Sequence, residues 1–191
     1  MGEIPLHDLF EDLEQQAAGL ELTERDAELA DRARSEYAAV TVSARVHASL
    51  GRRVRLMLTD GAALEGVLAQ AGPDWCWLGQ AGPPGVQAEC LVRLAAVAVA
   101  EGLSPRAVAE AARPAVARLG FGSALHRCAG DDRRLRLRVA GAGDVEARVR
   151  RIGADFVEIE AVGAAGKEGH AGEKETLVVP FAAVNAAWAR W

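Results

Sequence analysis

The sequence predicts an α+β, mainly β protein made of two small five-stranded barrels, each preceded by a short helix, behind an N-terminal helical segment. Three observations carry this prediction. An ungapped internal repeat recurs at a shift of 81 residues. The first strand of each copy alternates strictly between apolar and polar residues. A short stretch opened by Ser and closed by Gly stands before each copy, as helix boundaries do.

The repeat aligns residues 52–78 with residues 133–159. Val54, Leu56 and Leu58 fall on Leu135, Leu137 and Val139. Leu64, Leu68 and Gly72 fall on Val145, Val149 and Gly153, and Asp74-Trp75 falls on Asp155-Phe156. After a longer insertion in the second copy, Leu91–Val97 matches Val178–Val184. Each copy reads as strand, turn, strand, turn, strand, loop, strand, short turn, strand. Thr59-Asp60-Gly61 and Ala140-Gly141-Ala142-Gly143 supply the first turns. The Gly-rich stretches Gly79–Glu89 and Ala161–Lys174 are expected as loops.

The expected short helices are Ser43–Leu50, stopped by Gly51, and Ser123–Ala129, stopped by Gly130. Ser104-Pro105 is expected to open a further helix between the copies. Leu6, Leu9, Phe10 and Leu13 recur at helical spacing, and Thr23 is the expected cap of a second N-terminal helix with Ala27, Leu29, Ala30, Ala33 and Tyr37 on its apolar side. The expected organisation is therefore an acidic helical segment at 1–42, a first barrel module at 43–103, a helical linker at 104–122 and a second barrel module at 123–191.

Composition narrows the class. The net charge of −5 hides an asymmetry: residues 1–36 hold eleven acids against three Arg, so the rest of the chain is mildly basic. No apolar run reaches the roughly 18 residues of a membrane span, and the acidic N-terminus does not read as a signal peptide; a cytoplasmic protein with no membrane role is expected. With twenty Arg to two Lys, one Asn and three Ile, the usage resembles that of GC-rich bacterial genomes, so the Arg excess carries no functional weight. Cys76, Cys90 and Cys128 are odd in number and widely spaced, fitting neither a disulfide framework nor a zinc site.

A helix followed by five short, bent strands, with Val54-x-Leu56-x-Leu58, the Asp60-Gly61 turn, Glu65-Gly66 and a closing Leu91–Val99 stretch, resembles the Sm-like (LSm) fold, within the wider SH3-like small-barrel group. The resemblance covers about 45–100 and 124–188. It implies RNA binding and assembly into rings. It does not extend to the basic-Gly pair usual late in that fold, where this chain has Val92-Arg93-Leu94 and Val179-Pro180-Phe181, and Gly66 becomes Ala147 in the second copy.

Arg134, Arg136 and Arg138 alternate with apolar residues, Arg148 and Arg150 do the same on the next expected strand, and Arg151 follows. Such a face suits phosphates. It suits equally a solvated surface paired with Glu146, Glu158 and Glu160, or a docking place for acidic helices. Trp75 and Trp77 share one face of a strand and suit either base or peptide stacking or the core. Trp188 and Trp191 suit a cap on the last barrel or a dimer anchor. His7, His47, His126 and His170 show no metal spacing. No phosphate-loop, nucleophile-elbow or zinc-protease motif occurs. The expectation is a non-enzymatic binding protein with no cofactor and no metal. RNA would bind on the Arg face; alternatively, a protein partner is taken up by barrel edges or by the acidic N-terminal helices. A homodimer is left open.

Overall fold

The computed structural model describes residue 19 and residues 25–81, 87–131, 134–162 and 176–189. The chain divides into two compact units, 1–40 and 41–191. In the first, residues 25–38 form helix α1, with Leu29 and Tyr37 exposed. The helix expected through Leu6–Leu13, the Thr23 cap, and Trp191 lie outside the described residues.

The second unit opens with α2 (Val42–His47), followed by β1 (Arg53–Leu58), β2 (Ala63–Ala71), β3 (Trp75–Ala81), β4 (Gln87–Arg93) and β5 (Val97–Glu101). Then come α3 (Phe121–Ala129), β6 (Arg134–Val139), β7 (Gly143–Ile152), β8 (Phe156–Ala161), β9 (Thr176–Pro180) and β10 (Val184–Ala189). The alternation read in the sequence is present: Val54, Leu56 and Leu58 are buried between exposed neighbours in β1, as is Leu135 in β6, while Leu137 is buried between exposed Arg136 and half-buried Arg138. Gly61 takes φ +83° in the first turn, where Asp60 Oδ1 accepts from the Ala62 N–H at 3.0 Å.

The repeat is also structural. β2 and β7 are the long strands, and each breaks register once, between Leu68 and Gln70 and between Val149 and Arg151. The extra residues, Ala69 and Arg150, occupy equivalent positions, and the bulge lets one strand bend to pair on both sides. The next turns also match. Gly72 N–H donates to Trp75 O and Gly153 N–H to Phe156 O, both at 2.9 Å. A Cβ on either glycine would run into the Trp75 or Phe156 ring.

The two separate barrels, however, are not what forms. All ten strands lie in one open antiparallel sheet, ordered β5-β1-β2-β3-β4-β10-β6-β7-β8-β9. The join is β4 against β10, with Ala186 opposite Val92, Ala187 opposite Leu91 and Trp188 opposite Cys90. The expectation of two small five-stranded Sm-like/SH3-like barrels, each with its own helix, is thereby overturned. The physical reason lies in the strands at the join. Cys90, Leu91, Val92, Ala186 and Ala187 are wholly buried, so both faces of β4 and β10 are covered. Cys76, Leu78, Cys90 and Val92 share one core with Ala186 and Trp188 of the second copy. Trp75, Trp77 and Leu91 belong to the other core, beside Leu125, Leu135 and Ile159. Each half thus completes its neighbour's core. Helix α3 packs on β4 as well as on β6, β7 and β10, so it serves both halves.

The helix expected after Ser104 is also absent. Ser104 Oγ accepts from the Arg106 N–H at 3.1 Å, as a cap would. Beyond it the chain makes only short 3₁₀ turns at Glu110–Ala112 and Ala115–Arg118. The Val108 N–H that a helix would use internally donates instead to Ala44 O of α2 at 3.0 Å, and Pro114 lacks a donor.

Gly66 supplies a test of the packing. A Cβ there would stand 2.5 Å from Gly79 O and 3.1 Å from Gly79 C, both backbone atoms. Gly66→Ala is expected to destabilise the chain by about 1–3 kcal/mol, the usual cost of forced overpacking. Urea denaturation measures it; an unchanged midpoint would mean that β2 and β3 separate without cost.

Candidate functional site

The Arg-rich strands form the most charged surface of the sheet. β6 and β7 pair with Arg134 opposite Arg148, Arg136 opposite Glu146 and Arg138 opposite Asp144. Most of the guanidinium groups are engaged. Arg138 Nε meets Asp144 Oδ1 at 2.8 Å and Asp60 Oδ2 of the other half at 3.8 Å. Arg150 pairs with Glu160 at 2.9 Å and Arg151 with Glu158 at 2.8 Å. Arg136 lies over the Trp188 ring, 4.5 Å from its centroid. Arg134 and Arg148 have no acidic partner among the described residues, and as direct cross-strand neighbours they repel each other.

Part of this network fastens the two halves. Asn185 Nδ2 donates to Asp60 Oδ2 at 3.0 Å. The Ala62 N–H first, then Asn185 and Arg138, hold the Asp60 carboxyl below its ordinary range. Asp60, a turn residue by its sequence context, thus also meets residues from the second copy, which no local pattern announces.

Trp75 and Trp77 are 3% and 6% exposed, so neither ring offers a face for a base. They meet edge to face at 6.4 Å. Trp75 Nε1 donates to Leu119 O at 2.7 Å, and Arg127 covers the Trp77 ring while its other contact is Gln70. Cys76, Cys90 and Cys128 are buried free thiols. Burial pushes Cys76 and Cys128 up to about 12 and raises Cys90 as well, which removes them from thiolate chemistry. Among the described residues, no group of three or more His, Cys, Asp or Glu is arranged to hold a metal. No described helix is long and apolar enough to cross a membrane.

The sheet's two edges offer the other candidate surface. β5 pairs only with β1 and β9 only with β8 among the described strands, so each presents one rim of backbone N–H and C=O groups. Apolar side chains accompany these rims: Val99 is 47% exposed on β5, and Val178 is 61% and Leu177 38% exposed on β9. By the repeat, Leu177 and Val178 are the counterparts of Cys90 and Leu91, which are wholly buried at the join.

His47 is buried on α2, and its Nε2 has no hydrogen-bond partner among the described residues. Burial, then the positive charge of Arg113, lowers its pKa, while a hydrogen bond to the Gly72 backbone acts the other way. With the folded pKa below the unfolded value, the neutral form stabilises the fold. That contribution is present above about pH 6.5 and is lost as pH falls. Melting temperatures at pH 8 and pH 5 are expected to differ, and His47→Gln to narrow the difference; an unaltered difference would assign the acid sensitivity elsewhere. His126 is exposed on α3. His7 and His170 lie outside the described residues.

No protein-family model matches this chain, and no curated protein matches it either.

Proposed function

We propose that the chain is a non-enzymatic interaction scaffold that takes a strand of a partner protein onto a free edge of its sheet. The observation that carries this reading is the exposed apolar rim of β9, Leu177 and Val178, beside backbone groups that no other described strand pairs. Strand addition draws affinity from main-chain hydrogen bonds and specificity from alternate side chains. The buried β4·β10 join is an example, within the same chain, of what such an edge does once covered.

Lys at both Leu177 and Val178 tests it, because charge on an edge opposes pairing. Proteins captured by the parent chain, and able to slow amide exchange in β9, are expected to be lost with this variant. Capture and β9 protection that survive the substitution would overturn the reading.

RNA binding is kept as the second reading on one observation, the facing Arg134 and Arg148, which have no acidic partner among the described residues. It requires binding that weakens with salt, and replacing both residues by Ala then lowers the log–log salt slope by about 0.7 per lost contact to a single strand. Four of the six candidates are already engaged within the chain, which is why the edge reading is placed first. No binding at low salt excludes the RNA reading.

A further inference from the structure

After the loop in each copy, Leu91–Val97 aligns with Val178–Val184, and the strand pairings keep that alignment. Met57 pairs with Val99 and Leu56 with Ala100 in β1·β5; their counterparts pair in β6·β10, Arg138 with Ala186 and Leu137 with Ala187. Both pairs skip one residue at the same place, Ala98 in β5 and Asn185 in β10. Trp77 pairs with Leu91 and Leu78 with Cys90 in β3·β4, as Glu158 pairs with Val178 and Ile159 with Leu177 in β8·β9. In structure as in sequence, β9 and β10 are the second copy's fourth and fifth strands.

The join at β4·β10 thus pairs the fourth strand of one copy with the fifth strand of the other. The strands left at the two ends of the sheet are the other fifth strand, β5, and the other fourth strand, β9. Laid together as β10 lies on β4, they would set Val179 opposite Val99, Val178 opposite Ala100 and Leu177 opposite Glu101. Val178 and Val99 are exposed, whereas Leu91 and Ala186, at the same places in the join, are wholly buried. The helices repeat this contrast. α2 and α3 correspond from their caps, Thr41 and Gly120, to the glycines beyond them, Gly51 and Gly130. α3 packs on β4 across the join, with Phe121 and Ala129 buried. Their counterparts on α2, Val42 and Leu50, are exposed. Trp75 shares a core with Phe121, while its counterpart Phe156 is only half-buried.

We infer that β9 of one chain pairs antiparallel with β5 of a second copy, so that the protein assembles head to tail through a heterologous interface. The inference rests on the strand-addition reading and names its partner. β5 and β9 lie at opposite ends of one sheet, so each takes its neighbour from another chain. The contact pairs the backbone groups of both edges at once and brings α2 of the second copy over β9, as α3 lies over β4. Pairing of two β9 strands would leave β5 open and Val42 and Leu50 uncovered. The contact lacks the polar tie of the internal join. Asp60, Arg138 and Asn185 become Gly141, Met57 and Ala98, and Trp188 becomes Glu101, which stands opposite Arg55. The assembly is therefore expected to dissociate on dilution while the internal join holds.

The test is the mass of the full-length chain in solution, measured by light scattering. At high micromolar concentration a mass above the 20.1 kDa of one chain is expected. Val178→Lys on β9 and Val99→Lys on β5 change exposed edge positions, and each is expected to return the mass to one chain. Mixed in equal amounts, the two variants are expected to form a dimer of one of each, because one keeps β5 and the other keeps β9. That dimer also verifies that both variants fold. A parent chain with the mass of one chain at every concentration would overturn the inference. If Lys at Leu177 and Val178 still abolishes partner capture, the strand-addition reading stands without it. An oligomer that Val178→Lys dissociates and Val99→Lys does not would assign the edge to pairing of two β9 strands, against β5. Masses unchanged in both variants, or no dimer in the mixture, would overturn the inference as well.

Discussion

Trp188→Ala is expected to unfold both halves of the sheet in one transition, although the side chain stands on the last strand of the second copy. Trp188 is buried among Val54, Leu56, Leu78 and Cys90, all from the first copy. Its ring also carries Arg136 at 4.5 Å, and Arg138 at 5.9 Å. Removing a buried Trp side chain costs about 3–5 kcal/mol, against about 5–15 kcal/mol for a whole domain. The guanidinium groups over the ring lose their partner as well. Urea denaturation followed by far-ultraviolet circular dichroism should show a midpoint shift of that size with one cooperative step. Two separated steps, one of them unmoved, would mean that the halves fold independently and that the β4·β10 join is weak.

What was legible in the sequence was local. Strict alternation in Arg53–Leu58 and Arg134–Val139 specified strands with one face buried, and Asp60-Gly61 specified the turn. The runs Trp75-Cys76-Trp77-Leu78, Cys90-Leu91-Val92 and Ala186-Ala187-Trp188 lack such alternation, which is the pattern of strands covered on both faces. That signal was present, but periodicity identifies a strand with two buried faces without naming its neighbour. The partner of β4 lies about 95 residues on, at β10, and such non-local pairing follows from the fit of whole faces. Helix caps were legible to within two or three residues: Thr41, not Ser43, caps α2 by accepting from the Ala44 N–H at 3.1 Å, α2 ends at Ala48 rather than at Gly51, and Gly120, not Ser123, stands at the start of α3. Ser43 was free to bond Gly72 and Arg113 instead. The Arg face was legible as alternation, while its partners were not, because Asp60 reaches it only once the two halves are joined and Trp188 comes to it through the non-local pairing of β10 with β6, where it stands opposite Arg136.

A fragment of residues 104–191 holds one whole copy of the repeat and is expected not to fold cooperatively. It retains β6 to β10 with their pairings but loses β4, so β10 becomes an edge. Ala186 and Trp188 then face water where the first core had been. The second core loses Trp75, Trp77 and Leu91, and Leu119 O loses the Trp75 indole. Two buried Trp and one Leu amount to a loss on the order of 10 kcal/mol, comparable with the whole stability of a domain this size. The fragment should show a broad, low-amplitude urea transition and bind a hydrophobic dye. Supplying residues 41–103 as a second fragment should restore a sharp transition, because those strands bring back β4 and both Trp side chains. A sharp two-state transition in 104–191 alone would mean that the second copy closes its own core. The shared cores at the join would then be an addition to two self-sufficient modules rather than the condition for either of them.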